Sequence, residues 1–195
     1  MATSNSRDFD LDVSDIIEEA YERCGLEVRT GYDARTARRS MNLMFADWAN
    51  RGVNLWTVRQ ATITLTNNQA TETLGADVVD LLEVVLRRSN TDFDLTRLSR
   101  GDYLSIPNKT TQGRPSQFFF NRQITPQITL WPTPENSTDQ IVYYYLRRIE
   151  DADALTNNVE LPFRFLPCAV AGMAYYIALK KAPERVQLLK NVYEE

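Results

Sequence analysis

The chain has 195 residues and a formal net charge of −4, with 43% hydrophobic and 25% charged residues. This is an ordinary globular composition, which argues against a mostly disordered chain and against a strongly basic nucleic-acid binder. The sequence contains no histidine, the side chain most often used for proton transfer near neutral pH and for metal binding.

Neither a disulfide framework nor a membrane segment is indicated. Cys24 and Cys168 lie far apart without metal-type spacing, so we expect two buried thiols. The longest apolar run, residues 166–179, is shorter than the roughly 20 residues needed to cross a bilayer. The first residues lack the basic and then apolar segments of a signal peptide. We therefore expect no membrane partner and no cofactor.

Two helices are predicted after a flexible N-terminus at residues 1–11. The first, VSDIIEEAYERCGLE, has Ser14 as its expected N-cap, and Gly25 closes it. The second begins at Asp33 as N-cap, carries apolar residues every three or four positions, and ends at Gly52.

Three arginines lie in the first half of the second predicted helix: Arg35, Arg38 and Arg39. The helix dipole is positive at that end, so cations are unfavourable there. We interpret these arginines as facing an acidic surface outside the protomer, with a plain solvated face as the alternative.

From Val58 the hydrophobic period changes from that of a helix to that of a strand. RQATITLT alternates, and DLLEVVLRR at residues 80–88 is richer in Leu and Val. A helical turn is predicted at 95–103, followed by the extended segments SQFFFNRQI, PQITLWP and QIVYYYLRRI. Strands joined mostly by turns predict antiparallel sheets packed as a sandwich or small barrel.

Aromatic residues are concentrated in these strands, with Phe118, Phe119 and Phe120 in one and Trp131 in the next. Adjacent strand residues point to opposite faces, so Phe118 and Phe120 share a face. Core packing, a subunit interface and stacking of single-stranded nucleic acid all remain open for these rings. The residues predicted for a subunit or tail interface are Arg35, Arg38, Arg39, Phe118, Phe120 and Trp131.

The helical period returns near the end of the sequence. LPFRFLPCAVAGMAYYIALKKAP carries small residues between bulky ones, which lets helices approach closely, so it is predicted to be the most buried helix. PERVQLLKNVYEE then reaches Glu195 without a C-terminal stop signal, which is typical of either a docking arm or the stump of a longer tail. Leu188 and Val192 lie on its second apolar stripe. Its predicted docking residues are Pro183, Val186, Leu189 and Tyr193.

The predicted fold class is α+β. Residues 12–56 and 160–195 form a helical bundle with a C-terminal arm, and residues 57–159 form a β-rich insertion. This is the simplest arrangement because the outer helices must meet to bury their apolar stripes.

No catalytic motif is evident. The sequence has no phosphate loop, no Gly-x-Ser-x-Gly elbow and no dinucleotide fingerprint. Glu18, Glu19 and Glu22 could supply a carboxylate pair for glycoside hydrolysis. Spacing on one helix does not place them across a substrate, and a solvated acidic face is the alternative.

Six stretches of the sequence carry a resemblance to a known family: MNLMFADWANRGVNLWTV, DVVDLLEVVLRR, YLSIPNKTTQGRPSQFFFNR, ITLWPTP, YYYLRRIED and LPFRFLPCAVAGMAYYIALKKAPER. Together they resemble the head-to-tail adaptor (connector) proteins of tailed bacteriophages. This group is related to the tail accessory factors, or packaged-DNA stabilisation proteins, of short-tailed phages. The similarity covers residues 12–193.

The resemblance implies a structural, non-enzymatic virion protein, assembled in the host cytoplasm and located in the neck. It implies a homo-oligomeric ring of twelve copies beneath the portal protein, with an arm from about Pro183 that inserts between portal subunits. The ring would meet a tail nozzle or tube protein and pass double-stranded DNA without sequence specificity. A peptidoglycan-hydrolysing tail-associated protein and a nucleic-acid-binding module remain as alternatives.

Overall fold

The structure is a computed structural model that describes residues 5–6 and 8–194. The chain divides into a β unit, Thr57–Arg148, and a helical unit made of the residues on either side of it. The predicted α+β class is confirmed, because N- and C-terminal helices flank a sheet domain. Of the predicted flexible segment 1–11, residues 1–4 and 7 lie outside the described residues.

The helices of both units follow in chain order: α1 (Val13–Arg23), α2 (Gly31–Asn50), α3 (Arg100–Ser105), α4 (Leu166–Lys181) and α5 (Val186–Glu194). Helix α3 belongs to the β unit, and the other four form the helical unit.

Both predicted N-caps are wrong by a few residues. Helix α1 is capped by Asp12, whose side chain accepts from the amide of Asp15 at 2.8 Å, while the Ser14 hydroxyl donates to Asp12. The hydrogen bond from the Asp15 amide lowers the pKa of Asp12. Helix α2 is capped by Thr30, and Asp33 is the acidic third residue of a capping box. An acid three residues after the cap completes the box in both helices, so each helix begins earlier than predicted.

Helix α4 forms the centre of the helical unit, as predicted from its small residues. Nine of its sixteen residues are buried, and it packs against α1, α2 and α5. Ala174 and Ala178 are fully buried, which lets neighbouring helices approach closely. A helix that is apolar on all sides is stable in water only when other elements cover it.

Residues 149–159, predicted as part of the insertion, lie in the helical unit instead. Ile149 and Ala152 join its core, and the Ala152 amide donates to Asn42 Oδ1 at 2.8 Å. Asp12 forms an isolated β-bridge with Asn158. The segment has no regular period, so the sequence contained no signal for this position.

The β unit contains two four-stranded sheets and one two-stranded sheet. The strands are β1 (Val58–Thr64), β2 (Thr71–Thr73), β3 (Val78–Arg88), β4 (Thr91–Asp94), β5 (Thr96–Leu98), β6 (Gln112–Gly113), β7 (Gln117–Asn121), β8 (Gln127–Trp131), β9 (Thr133–Pro134) and β10 (Gln140–Arg147). The larger sheets have the orders β1-β10-β3-β4 and β2-β8-β7-β5. One hydrophobic cluster draws on both of these sheets, so they share a core as in a sandwich.

Two pairs of short strands depart from the antiparallel prediction. β5 pairs with β7, and β6 with β9, in parallel. The helical turn predicted at 95–103 is strand β5 followed by helix α3. Parallel neighbours need a long crossover connection, and the connection from β5 to β7 contains α3.

An ion pair at the end of β3 fixes the loop before β10. The Arg88 guanidinium donates to Asp139 at 2.6–3.0 Å and to Glu135 at 2.8 Å, and these bonds raise the pKa of Arg88. The Asp139 side chain is only 4% exposed. Neighbouring Arg87 makes a similar pair with Asp92, but both of those side chains are about 40% exposed.

We expect Arg88→Met to lower the free energy of unfolding by about 3 kcal/mol, because it leaves a buried carboxylate without its cation. The matched control, Arg87→Met, breaks a surface pair and should cost less than about 1 kcal/mol. Urea unfolding of both variants measures the difference. Equal losses for the two would contradict this account of the loop.

Candidate interaction surfaces

The predicted docking arm is folded against its own helical unit. Helix α5 packs on α4, and Leu189 is 7% exposed in the core, with Val186 and Tyr193 partly buried beside it. Pro183 is exposed at the start of a 3-10 turn, Pro183–Arg185, that joins the two helices.

Tyr193 anchors the far end of α5. Its hydroxyl accepts a hydrogen bond from Trp48 Nε1 at 2.6 Å, and its ring stacks on Tyr175 with centroids 6.0 Å apart. Burial raises the pKa of Tyr193, and the Trp48 hydrogen bond acts in the opposite direction. Gly172 makes room for this ring, because a Cβ there would lie 2.6 Å from Met44 Sδ and 2.9 Å from Tyr193 Cε2.

Arg185 anchors the near end of α5. Its Nη1 donates to the carbonyl oxygen of Arg23 at 3.2 Å, at the end of α1. The guanidinium lies against Gly25, where a Cβ would be 2.7 Å from Nη2 and the backbone has φ +70°. Gly25, which ends α1 in a left-handed conformation, therefore also leaves the space that the Arg185 guanidinium occupies.

Two apolar side chains of α5 are exposed, beside the polar Gln187 and Asn191. Leu188 is 64% and Val192 47% exposed, and Leu179 of α4 is 52% exposed. The sequence showed both stripes of α5, and the structure shows that the second one is available for contact.

A second exposed stripe runs along α2. Its members recur every three or four residues: Tyr32, Arg35, Arg39 and Leu43. Arg35 Nε donates to the Gly31 carbonyl at 3.3 Å, within its own helix. Arg38 is half-buried and donates to the Asp153 carbonyl oxygen. Of the three predicted arginines, Arg35 and Arg39 thus remain on the exposed surface.

The third surface is a groove of about 600 Å³ between α1, the start of α4 and the segment before α1. We call it the acidic groove. Its carboxylate lining is Asp10, Asp15, Glu18, Glu19 and Glu22. Arg23 also lines it, and its apolar lining is Phe9, Leu11, Phe163, Leu166, Pro167 and Val170.

The three glutamates considered as a carboxylate pair lie on one helix beside the acidic groove. Glu18, Glu19 and Glu22 all project from α1, and the lining from α4 is apolar. Glycoside hydrolysis requires carboxyl groups on two sides of the scissile bond. The groove is chemically suited to a cationic, partly apolar partner.

The aromatic strand residues are divided between the core and the surface. Phe118 and Phe120 are 3% and 6% exposed in the β-unit core, so these rings offer almost no surface to a neighbour. Phe119 stacks on Tyr103 of α3 at 5.1 Å. Trp131 is half-buried, and its Nε1 donates to the Asn108 carbonyl at 3.1 Å.

Several surface residues of the β unit were not identified from the sequence. Ile124, in the turn between β7 and β8, is 96% exposed, and Leu104 of α3 is 65% exposed. Ile124 is a single apolar residue in a turn, so no hydrophobic periodicity predicts whether it is buried or exposed. Its exposure is seen only in the folded chain.

Among the residues that the structure describes, no cluster of three or more acidic or cysteine side chains could hold a metal ion. No helix within the same residues is long and apolar enough to span a membrane. Of the two thiols expected to be buried, Cys24 is buried and Cys168 is only partly buried. Burial raises the pKa of each thiol, and the Cys24 thiol donates to the Ala174 carbonyl at 3.2 Å.

A family model described as SU10 adaptor protein matches residues 11–194. The chain belongs to the SU10 adaptor protein family and is a phage structural adaptor, a virion component that associates with other capsid or tail proteins. No curated protein matches the chain.

We expect Gly172→Ala to lower the free energy of unfolding by about 1–3 kcal/mol, because the new methyl group displaces Tyr193 or Met44. The matched control is Gly31→Ala in α2, where a Cβ would meet nothing within 4 Å. That change should be neutral or stabilising by up to about 1 kcal/mol. Thermal unfolding measures both, and equal stability would contradict the tight packing of α5.

Proposed function

We propose that this protein is a head-to-tail adaptor that forms a ring between the portal and the tail and extends the DNA channel. The observation that carries the proposal is helix α5, which is held on the helical unit at both ends while Leu188 and Val192 remain exposed. Such a face, fixed in position before contact, is suited to inserting into a groove of a partner.

The energetics of α5 favour a helix that stays docked. A nine-residue helix is too short to be stable alone in water. Its packing through Val186, Leu189 and Tyr193 therefore supplies its order. In this proposal the arm that begins near Pro183 docks on the portal as a unit, with Leu188 and Val192 as the contacting side chains.

The remaining partners follow from the same role. The β unit would meet the tail nozzle or tube through its exposed apolar residues, with the partly exposed Trp131 among them. Copies would pack head to tail into a ring of twelve in the neck of the virion, assembled in the host cytoplasm. A net charge of −4 suits a channel past which double-stranded DNA slides without sequence-specific binding. This role is structural and requires no catalytic group.

Mixing the protein with purified portal of the same phage tests the proposal directly. Electron cryo-microscopy of the mixture should show a closed ring of the protein on one end of the portal. Portal particles that carry no added density at saturating protein would contradict the proposed function.

We expect Leu188→Asp/Val192→Asp to reduce the affinity for portal by more than about tenfold, because two apolar contacts become charged groups that must be desolvated. The matched control, Leu104→Asp/Ile124→Asp, makes the same chemical change on the β unit and should leave portal affinity unchanged. Sedimentation of portal complexes measures both affinities. A larger loss in the control than in the α5 variant would contradict the assignment of α5 as the docking element.

A further inference from the structure

We propose that the acidic groove of one copy receives the exposed α2 stripe, Tyr32, Arg35, Arg39 and Leu43, of a second copy. The inference deepens the proposed function, since it assumes that copies pack against one another, and it names the contact between them. Both surfaces lie in the helical unit, and they share no residue.

The groove carries an excess of negative charge that its own chain does not balance. Glu19 pairs with Arg23 at 3.0 Å, whereas Glu18 and Glu22 form no ion pair with any residue the structure describes. Glu18 and Glu22 are also like charges four residues apart, an unfavourable spacing on one helix. Glu22 lies in the last turn of α1, where the helix dipole disfavours an anion. A cationic side chain from another molecule would reduce both the repulsion between Glu18 and Glu22 and the unfavourable interaction of Glu22 with the helix dipole.

The α2 stripe carries an excess of positive charge. Arg35 and Arg39 are like charges four residues apart on α2, an unfavourable spacing on one helix. Both side chains are exposed. Within the described residues neither forms an ion pair. The two helices therefore hold complementary charges, each as a pair of like charges four residues apart.

The two surfaces also match in spacing and in apolar content. Arg35 and Arg39 are four residues apart, as are Glu18 and Glu22, so each pair spans about 6 Å along its helix. Guanidinium and carboxylate groups at matching spacing form charge-assisted, often bidentate hydrogen bonds. Tyr32 at one end of the stripe is 65% exposed, as are Phe9 and Phe163 of the groove, so aromatic surface is present on both sides.

The contact repeats from copy to copy. One protomer offers its α2 stripe to the next and its groove to the previous one, which is a heterologous interface. Repetition of such an interface produces a ring when the rotation closes. The predicted external acidic partner of the α2 arginines is therefore another molecule of the same chain.

Charge exchange tests the contact. Arg35→Glu/Arg39→Glu makes the stripe acidic, and Glu18→Arg/Glu22→Arg makes the groove basic. Each variant alone should lose self-association in low salt, because its two surfaces then carry the same sign. An equimolar mixture of the two should associate again, because each altered surface finds its complement on the other variant. Sedimentation velocity over a wide range of protein concentration measures the average mass.

The substitutions lie on exposed positions and should preserve the fold. Glutamate and arginine are both good helix formers, and circular dichroism verifies the helices. The matched control, Arg59→Glu/Arg100→Glu, changes the net charge by the same amount on exposed residues of the β unit. This control should associate like the unaltered chain.

Two results would overturn the inference. The first is a mixture of the charge-exchanged variants that sediments no faster than the variants do separately. The second is an assembly that stops at two copies, since a head-to-tail contact continues beyond a pair. Either result leaves the proposed portal docking intact, because that is measured by occupancy of the portal. A portal without bound protein, beside a mixture that associates, would instead contradict the proposed function alone.

Discussion

The burial of α4 by helices from both ends of the chain is the constraint on which the helical unit depends. Helix α4 is apolar on all sides, so it needs a neighbour in every direction. Helices α1 and α2 come from the first part of the chain, and α5 follows after a turn. Because the small residues Gly172, Ala174 and Ala178 allow close approach, these helices are fixed in position as well as covered.

The surfaces proposed for assembly are the faces that α4 leaves uncovered. Each surrounding helix turns its apolar stripe inward and presents its other face outward: carboxylates on α1, arginines on α2 and a second apolar stripe on α5. Those outward faces do not contribute to the core, and α1 and α2 each carry like charges four residues apart, Glu18 with Glu22 and Arg35 with Arg39, which is unfavourable on one helix. Residues that lower the stability of the isolated protomer in this way are expected where a partner compensates them.

Much of this architecture was accessible from the sequence, because helical period and strand alternation report burial directly. The period located α1, α2 and α4, and alternation placed Phe118 and Phe120 on one face. Periodicity does not tell which of two stripes on α5 faces inward, since Val186 and Leu188 are equally apolar. It also contains no information about residues 149–159, whose position depends on contacts such as that between Ala152 and Asn42. The pairing of Glu18 and Glu22 with Arg35 and Arg39 could be proposed only after the folded chain showed all four side chains exposed.

Native-state hydrogen exchange of the isolated protein, followed amide by amide in increasing denaturant, tests the central claim most directly. If both ends of the chain form one core around α4, the interior amides of α1, α2 and α4 should open together with a common and highest free energy. The amides of α5 should open at lower free energy, because this nine-residue helix buries only Leu189. Separate opening of α1 or α2, with α4 still protected, would contradict the account.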